Sequence, residues 1–282
     1  MKQHIYIIPK GQPQLIKQLK GKSIALSVDS LEEMTTMLSL PFDNTIETIF
    51  FRSSKPLSEL ELTEITKKFP TKIIVNEIGK LNDVILNSAN LREKNIRIYL
   101  SMLSEEHYTQ LLILSSLGIQ CGVYFPDNTT VNWEKLNELI SSNIYSLTNN
   151  PVIEPFNYVI NQYSSNSYSD IDLSLLDNDK IYLFLDKEEI PSLFSNNNKR
   201  NIGKYMVLDN GECEISIPED NIDFVYDMLE QGHDCAFCPA FKICTGNFKE
   251  VENAYPACRD FFSDLYDAIE YSIEKKEKIK DN

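Results

Sequence analysis

The chain has 282 residues, of which 42% are hydrophobic and 24% charged, a composition that excludes wholesale disorder and suits one large domain or a main domain with a small one. Its 42 acidic residues against 27 Lys and Arg give a net charge of −15. Such a chain repels phosphate, which argues against a dedicated nucleic-acid binder and against recruitment to anionic lipid.

In chain order, short apolar and β-branched runs predict strands at 5–9 (IYIIP), 45–51 (TIETIFF), 72–78 (KIIVNEI), 96–102 (IRIYLSM) and 120–125 (QCGVYF), with 23–29 (SIALSVD) a further candidate. Helical patterns lie between them. Leu57, Leu60, Ile65 and Phe69 share one face of the segment 57–69, which ends on Lys67 and Lys68. The segment 104–118 opens on Ser104 as cap and stops at Gly118. A third amphipathic segment covers 131–142 and carries Trp133, the sole tryptophan, which is read as core. Alternating strands and helices predict an α/β fold with a parallel sheet. Five or six such units are too few for a closed eight-fold barrel, so the expectation is an open partial barrel.

Beyond Asn150 the rhythm decays. The segment 151–160 is a candidate helix, 161–170 a polar loop and 181–186 (IYLFLD) a strand. A second polar loop at 195–201 is the candidate boundary between a body, 1–195, and a C-terminal module, 202–282. In that module Asp209-Asn210-Gly211 predicts a hairpin within 204–218. A short helix follows, capped by Asp220 or Asn221 and stopped by Gly232. The last helix places Phe262, Leu265, Ile269 and Ile273 on one face.

The cysteines are uneven. Residues 1–120 contain none, Cys121 and Cys213 stand apart, and Cys235, Cys238, Cys244 and Cys258 follow the spacing Cys-x2-Cys-x5-Cys-x13-Cys. A tight turn can bring two cysteines of a Cys-x2-Cys pair onto one metal, and four thiolates satisfy either tetrahedral zinc or a [4Fe–4S] cube. Phe237, Phe241, Phe248, Phe261 and Phe262 form an aromatic setting that suits a shielded cluster. Zinc remains the alternative, because spacing alone does not choose the metal.

This cysteine pattern resembles the second auxiliary-cluster site of SPASM domains, the C-terminal extensions of radical S-adenosylmethionine (SAM) peptide-modifying enzymes. The resemblance implies one [4Fe–4S] cluster on Cys235, Cys238, Cys244 and Cys258. Phe248 stands where that family places a cysteine of its other auxiliary cluster, and Cys213 is offset from the family's hairpin cysteine, so that cluster is expected to be absent. The body is similar to the family's six-unit partial barrel. With IYIIP as its first strand and TIETIFF as its second, Ser53, Ser54, Lys55 and Pro56 stand in place of Gly-Gly-Glu-Pro, and Asn76 matches the asparagine of the third strand's Thr-Asn-Gly. The loop after the first strand should carry Cys-x3-Cys-x2-Cys but reads KGQPQLIKQLK.

The resemblance therefore implies a degenerate radical SAM protein that does not cleave SAM. Its expected role is that of a non-catalytic partner in ribosomal-peptide modification, binding a precursor peptide or a radical SAM maturase. A rebuilt enzyme around Lys55, Asn76 and Ser101, and a zinc-bearing structural protein, are the other readings. Among the histidines, His107 is expected on the surface and His233 beside the cluster. No apolar run approaches the ~20 residues that span a bilayer, and MKQHIYIIPKGQPQ lacks the apolar length of a signal peptide, so a cytoplasmic location is expected.

Overall fold

The computed structural model describes residues 2–41, 43–62, 64–126, 130–146, 151–157, 160, 180–187, 202–217, 223–239, 241 and 255–280. Two compact units emerge, one of residues 1–101 with 174–218 and one of 102–173 with 219–282.

The first unit is an open, mostly parallel sheet with helices. Its strands are β1 (Gln3–Ile8), β2 (Ser23–Val28), β3 (Thr45–Arg52), β4 (Thr71–Val75), β5 (Ile96–Ser101), β7 (Lys180–Leu185), β8 (Ile202–Val207) and β9 (Cys213–Ser216). The helices α1 (Gln14–Gln18), α2 (Leu31–Ser39), α3 (Glu64–Lys68) and α4 (Leu81–Leu91) alternate with the first five strands. The spatial order runs β5-β4-β3-β2-β1-β7-β8-β9, and only the β8–β9 pair is antiparallel. From β1 to β5 each new strand is laid beyond the last, and β7 then takes the free side of β1.

The parallel strands are buried almost throughout, which is why they read as continuous apolar runs. One face carries Ile24, Leu26, Ile49, Phe51, Ile73, Val75, Ile98 and Leu100, all buried. The other is mixed, with Phe50, Lys72 and Arg97 abreast in register. Lys72 is itself buried, and its ammonium lies 5.6 Å from the centre of the Phe50 ring.

Three expectations change here. SIALSVD is a full strand, β2, so TIETIFF is the third strand and not the second. The segment 57–69 is not one helix. It forms a single 3-10 turn at Leu57–Glu59 and then the short α3. The backbone turns extended at Leu60, φ −82° and ψ 118°, which ends the turn, while the Leu57 and Ser58 N–H groups donate to the carbonyls of Glu77 and Ile78 beyond β4 and tie it to that loop. The hairpin is present, but β8 pairs with β7, so β8 and β9 extend the main sheet. The boundary loop 195–201 and the polar loop 161–170 lie outside the described residues.

The second unit contains α5 (Glu106–Ser116), β6 (Cys121–Tyr124), α6 (Trp133–Ile144), α7 (Asp223–Glu230) and α8 (Ala257–Lys280). Asn132 caps α6 by accepting the Lys135 N–H. Trp133 packs on Phe261 and Phe262, and Tyr145 on Tyr271, so α6 and α8 share an aromatic seam. Leu265, Ala268 and Ile269 of α8 are fully buried. Asn143 of α6 is buried, accepting the Ile153 N–H at 3.0 Å and donating to Ser115 at 3.0 Å. Among the described residues no helix is long and apolar enough to cross a membrane.

Candidate functional site

In the second unit α7 ends at Glu230, and Gly232 just beyond it has a φ of +63° that lets the chain reverse. A 3-10 turn follows at Asp234–Phe237. His233 precedes it, and the His233 ring Nδ1 accepts the Cys235 N–H at 3.1 Å. The Cys238 N–H donates to the Cys235 carbonyl at 3.2 Å, so the Cys-x2-Cys spacing does close into a tight turn. Both cysteines are half-buried.

Cys258 sits in the first turn of α8, twenty residues further on, and is buried. Its thiol is pushed up to about 11, first by burial and then by the charges of Cys235 and Cys238. Three of the four expected ligands are thus within electrostatic reach of one another. Cys244 lies outside the described residues. Among those described, no group of three or more His, Cys, Asp and Glu side chains stands arranged as a metal site.

The donor set is nonetheless of the right chemistry. Thiolates bind zinc and iron–sulfur clusters, and a cation among them would offset both the burial and the mutual repulsion that raise the Cys258 thiol. Cys235, Cys238 and Cys258 would hold such a group together with Cys244.

The aromatic surroundings are less uniform than expected. Phe261 and Phe262 are buried against Trp133, but Phe237, between the paired cysteines, is 70% exposed. Phe248 lies outside the described residues. The remaining cysteines stand elsewhere. Cys121 is buried in β6, where burial pushes its thiol up to about 12, and it behaves as a small apolar side chain. Cys213 opens β9 in the first unit.

In that first unit the loops at the C-terminal strand ends are tied by charge. Lys10 pairs with Asp29 at 2.6 Å. The Glu33 carboxylate accepts the N–H groups of Gly11 at 2.8 Å and Asp29 at 3.1 Å, while Ser30 caps α2 by accepting the Glu33 N–H. Glu33 therefore joins the loops after β1 and β2. The sequence reading missed it, although Ser30-x-x-Glu33 is a capping-box signal.

The Ser53–Pro56 segment follows β3, the third strand, so the equation with a motif at the end of a second strand does not hold. Ser53 closes this turn on itself: its Oγ accepts the Lys55 N–H at 3.0 Å and donates to the Lys55 carbonyl at 2.9 Å. Ser101 and Asn76 do meet, the hydroxyl donating to Asn76 Oδ1 at 2.8 Å, but neither is an acid or a base at neutral pH. His107 departs from expectation. It is buried, and its Nδ1 accepts the Leu103 N–H at 3.2 Å, which draws the ring onto the start of α5.

No protein family, curated protein or solved structure compared with the chain matches it.

Proposed function

We propose that this chain is a non-catalytic accessory protein of ribosomal-peptide modification, carrying a [4Fe–4S] cluster on Cys235, Cys238, Cys244 and Cys258. The metal half rests on the spacing of the four cysteines and on the Cys235–Cys238 turn, which the Cys238 N–H closes by donating to the Cys235 carbonyl at 3.2 Å. When bound, the cluster supplies a cross-link between the Cys235–Cys238 turn and α8 and a one-electron couple. Zinc on the same thiolates is the alternative.

The peptide-modification half rests on the resemblance of the cysteine spacing to SPASM domains, with a precursor peptide or a radical SAM maturase as partner and the cytoplasm as location. SAM cleavage is not part of the proposal. Residues 1–120 contain no cysteine, and the loop after β1 is occupied by the Lys10–Asp29 pair and the Glu33 carboxylate. An open, mostly parallel sheet is compatible with a partial barrel of the radical SAM kind.

Anaerobic purification tests the metal. The protein should be brown with about four irons per chain, and Cys238→Ala should lose them. Colourless protein with one zinc selects the alternative. Reduced protein given SAM should form no 5′-deoxyadenosine above a protein-free control. Titration with the short peptide encoded beside the gene, and separately with the nearest intact radical SAM enzyme, tests the partner. Absence of binding to both at high micromolar concentration rejects the accessory role.

A further inference from the structure

A single turn of 3-10 helix leaves most of its main-chain donors without internal acceptors, and those left open decide whether the turn keeps its shape. The turn at Asp234–Phe237 carries Cys235 and leads directly into Cys238. His233 serves it from the N-terminal side in three ways. Its ring Nδ1 accepts the Cys235 N–H at 3.1 Å. Its carbonyl accepts the Ala236 N–H at 2.9 Å, and its own N–H donates to the Met228 carbonyl of α7 at 2.9 Å. The backbone of His233 is extended, φ −67° and ψ 136°, as a capping residue requires.

A nitrogen that accepts an N–H carries no proton, and its lone pair is engaged. Nδ1 is therefore committed to the Cys235 main chain and not open to a metal. Serine, threonine, aspartate and asparagine usually do this work with a side-chain oxygen. Here an imidazole does it, directly ahead of a cysteine pair.

We propose that His233 is a positioning residue for the metal centre, holding the turn in the shape that presents Cys235 and Cys238 together before the metal arrives. This rests on the metal reading above. A site that must be ordered by its own ligand binds more weakly than one already ordered, because the ordering cost is subtracted from the binding energy.

The test uses the full chain, anaerobic and reduced, titrated with Co2+ in competition with a chelator. Affinity and the thiolate-to-cobalt absorption are both read for the native protein, His233→Asn and His233→Ala, with circular dichroism to check folding. His233→Ala should bind roughly tenfold more weakly, the usual size of a lost cap. His233→Asn, which restores a capping oxygen, should recover most of that loss. The absorption spectrum of all three should be the same, since the ligands are unchanged. Equal affinity of native and His233→Ala protein would overturn the proposal. So would a spectrum altered in both variants, which would make the ring a ligand. Should His233→Ala not fold, His233→Asn decides: near-native affinity supports the cap and a large loss rejects it. Native protein that takes up no cobalt, zinc or iron defeats the metal reading itself, and this proposal with it.

Discussion

The hydroxyl of Tyr205, on β8, donates to the main-chain carbonyl of Ile7, on β1, at 2.9 Å. The bond passes over β7, which lies between those two strands, and the Tyr205 ring stands edge-on to Tyr6. Tyr205→Phe keeps the ring and removes the bond. It should lower stability by about 1 kcal/mol, seen as a lower denaturant midpoint with unchanged slope. An unchanged midpoint would mean that the hydroxyl adds nothing to the β7–β8 ladder and the ring contact.

Glu33 and Lys10 make unequal predictions although they share one loop cluster. Lys10 and Asp29 are both well exposed, so Lys10→Ala should cost less than about 1 kcal/mol and the effect should fade with salt. Glu33→Ala removes two hydrogen bonds from a carboxylate to the exposed N–H groups of Gly11 and Asp29 and should cost about 1–2 kcal/mol. If the lysine variant proves the more damaging in thermal melts, the loops are held by the Lys10–Asp29 ion pair and not by these two hydrogen bonds.

Gly79 joins β4 to α4 with φ of +69°, and a Cβ there would collide with the Ser58 hydroxyl. Gly79→Ala therefore meets both backbone strain and a steric clash. A loss of about 2 kcal/mol or more is expected, with part of it regained when Ser58→Ala is added. No recovery in the double variant would locate the whole cost in the backbone.

Alkaline pH should weaken the metal-free protein. The folded-state thiol of Cys258 is raised to about 11 from an ordinary value of 9.0, so the folded chain keeps a proton that the unfolded chain releases. Stability is then full below pH 9 and falls as pH rises from about 9 to about 11. Cys121, raised to about 12, acts in the same direction. Denaturant midpoints at pH 8 and pH 10 should differ, and Cys258→Ser should reduce the difference. A pH dependence identical in that variant would show that Cys258 titrates normally. Metal-loaded protein should lose the Cys258 share, because a bound thiolate has no proton to give up.

Much of the first unit was legible because parallel strands buried on both faces are written as β-branched apolar runs, and Ile5–Ile8, Ile73–Val75 and Ile98–Leu100 are such runs. Gly118 and Gly232 likewise ended their helices as glycines with positive φ do. What was not legible depended on distant partners. The helical periodicity of 57–69 was real, yet the backbone turns extended at Leu60 and divides it. His107 looked solvated beside two glutamates, but the Leu103 N–H gives its ring a buried acceptor role. The hairpin at 202–216 carries its own turn signal, and nothing local says that β7 continues it. The cysteine turn was readable from spacing alone, whereas the approach of Cys258 to it depends on where α8 begins.

The seam between α6 and α8 also sets an order of events at the ribosome. Trp133 and Leu136 leave the exit tunnel more than a hundred residues before Phe261 and Leu265. At translation speeds of roughly 5–20 residues per second, that gap lasts on the order of ten seconds. Throughout it, α6 lacks the helix that later covers its aromatic side. A nascent chain halted before residue 257 should accordingly be a chaperone client, and one released after residue 280 should not.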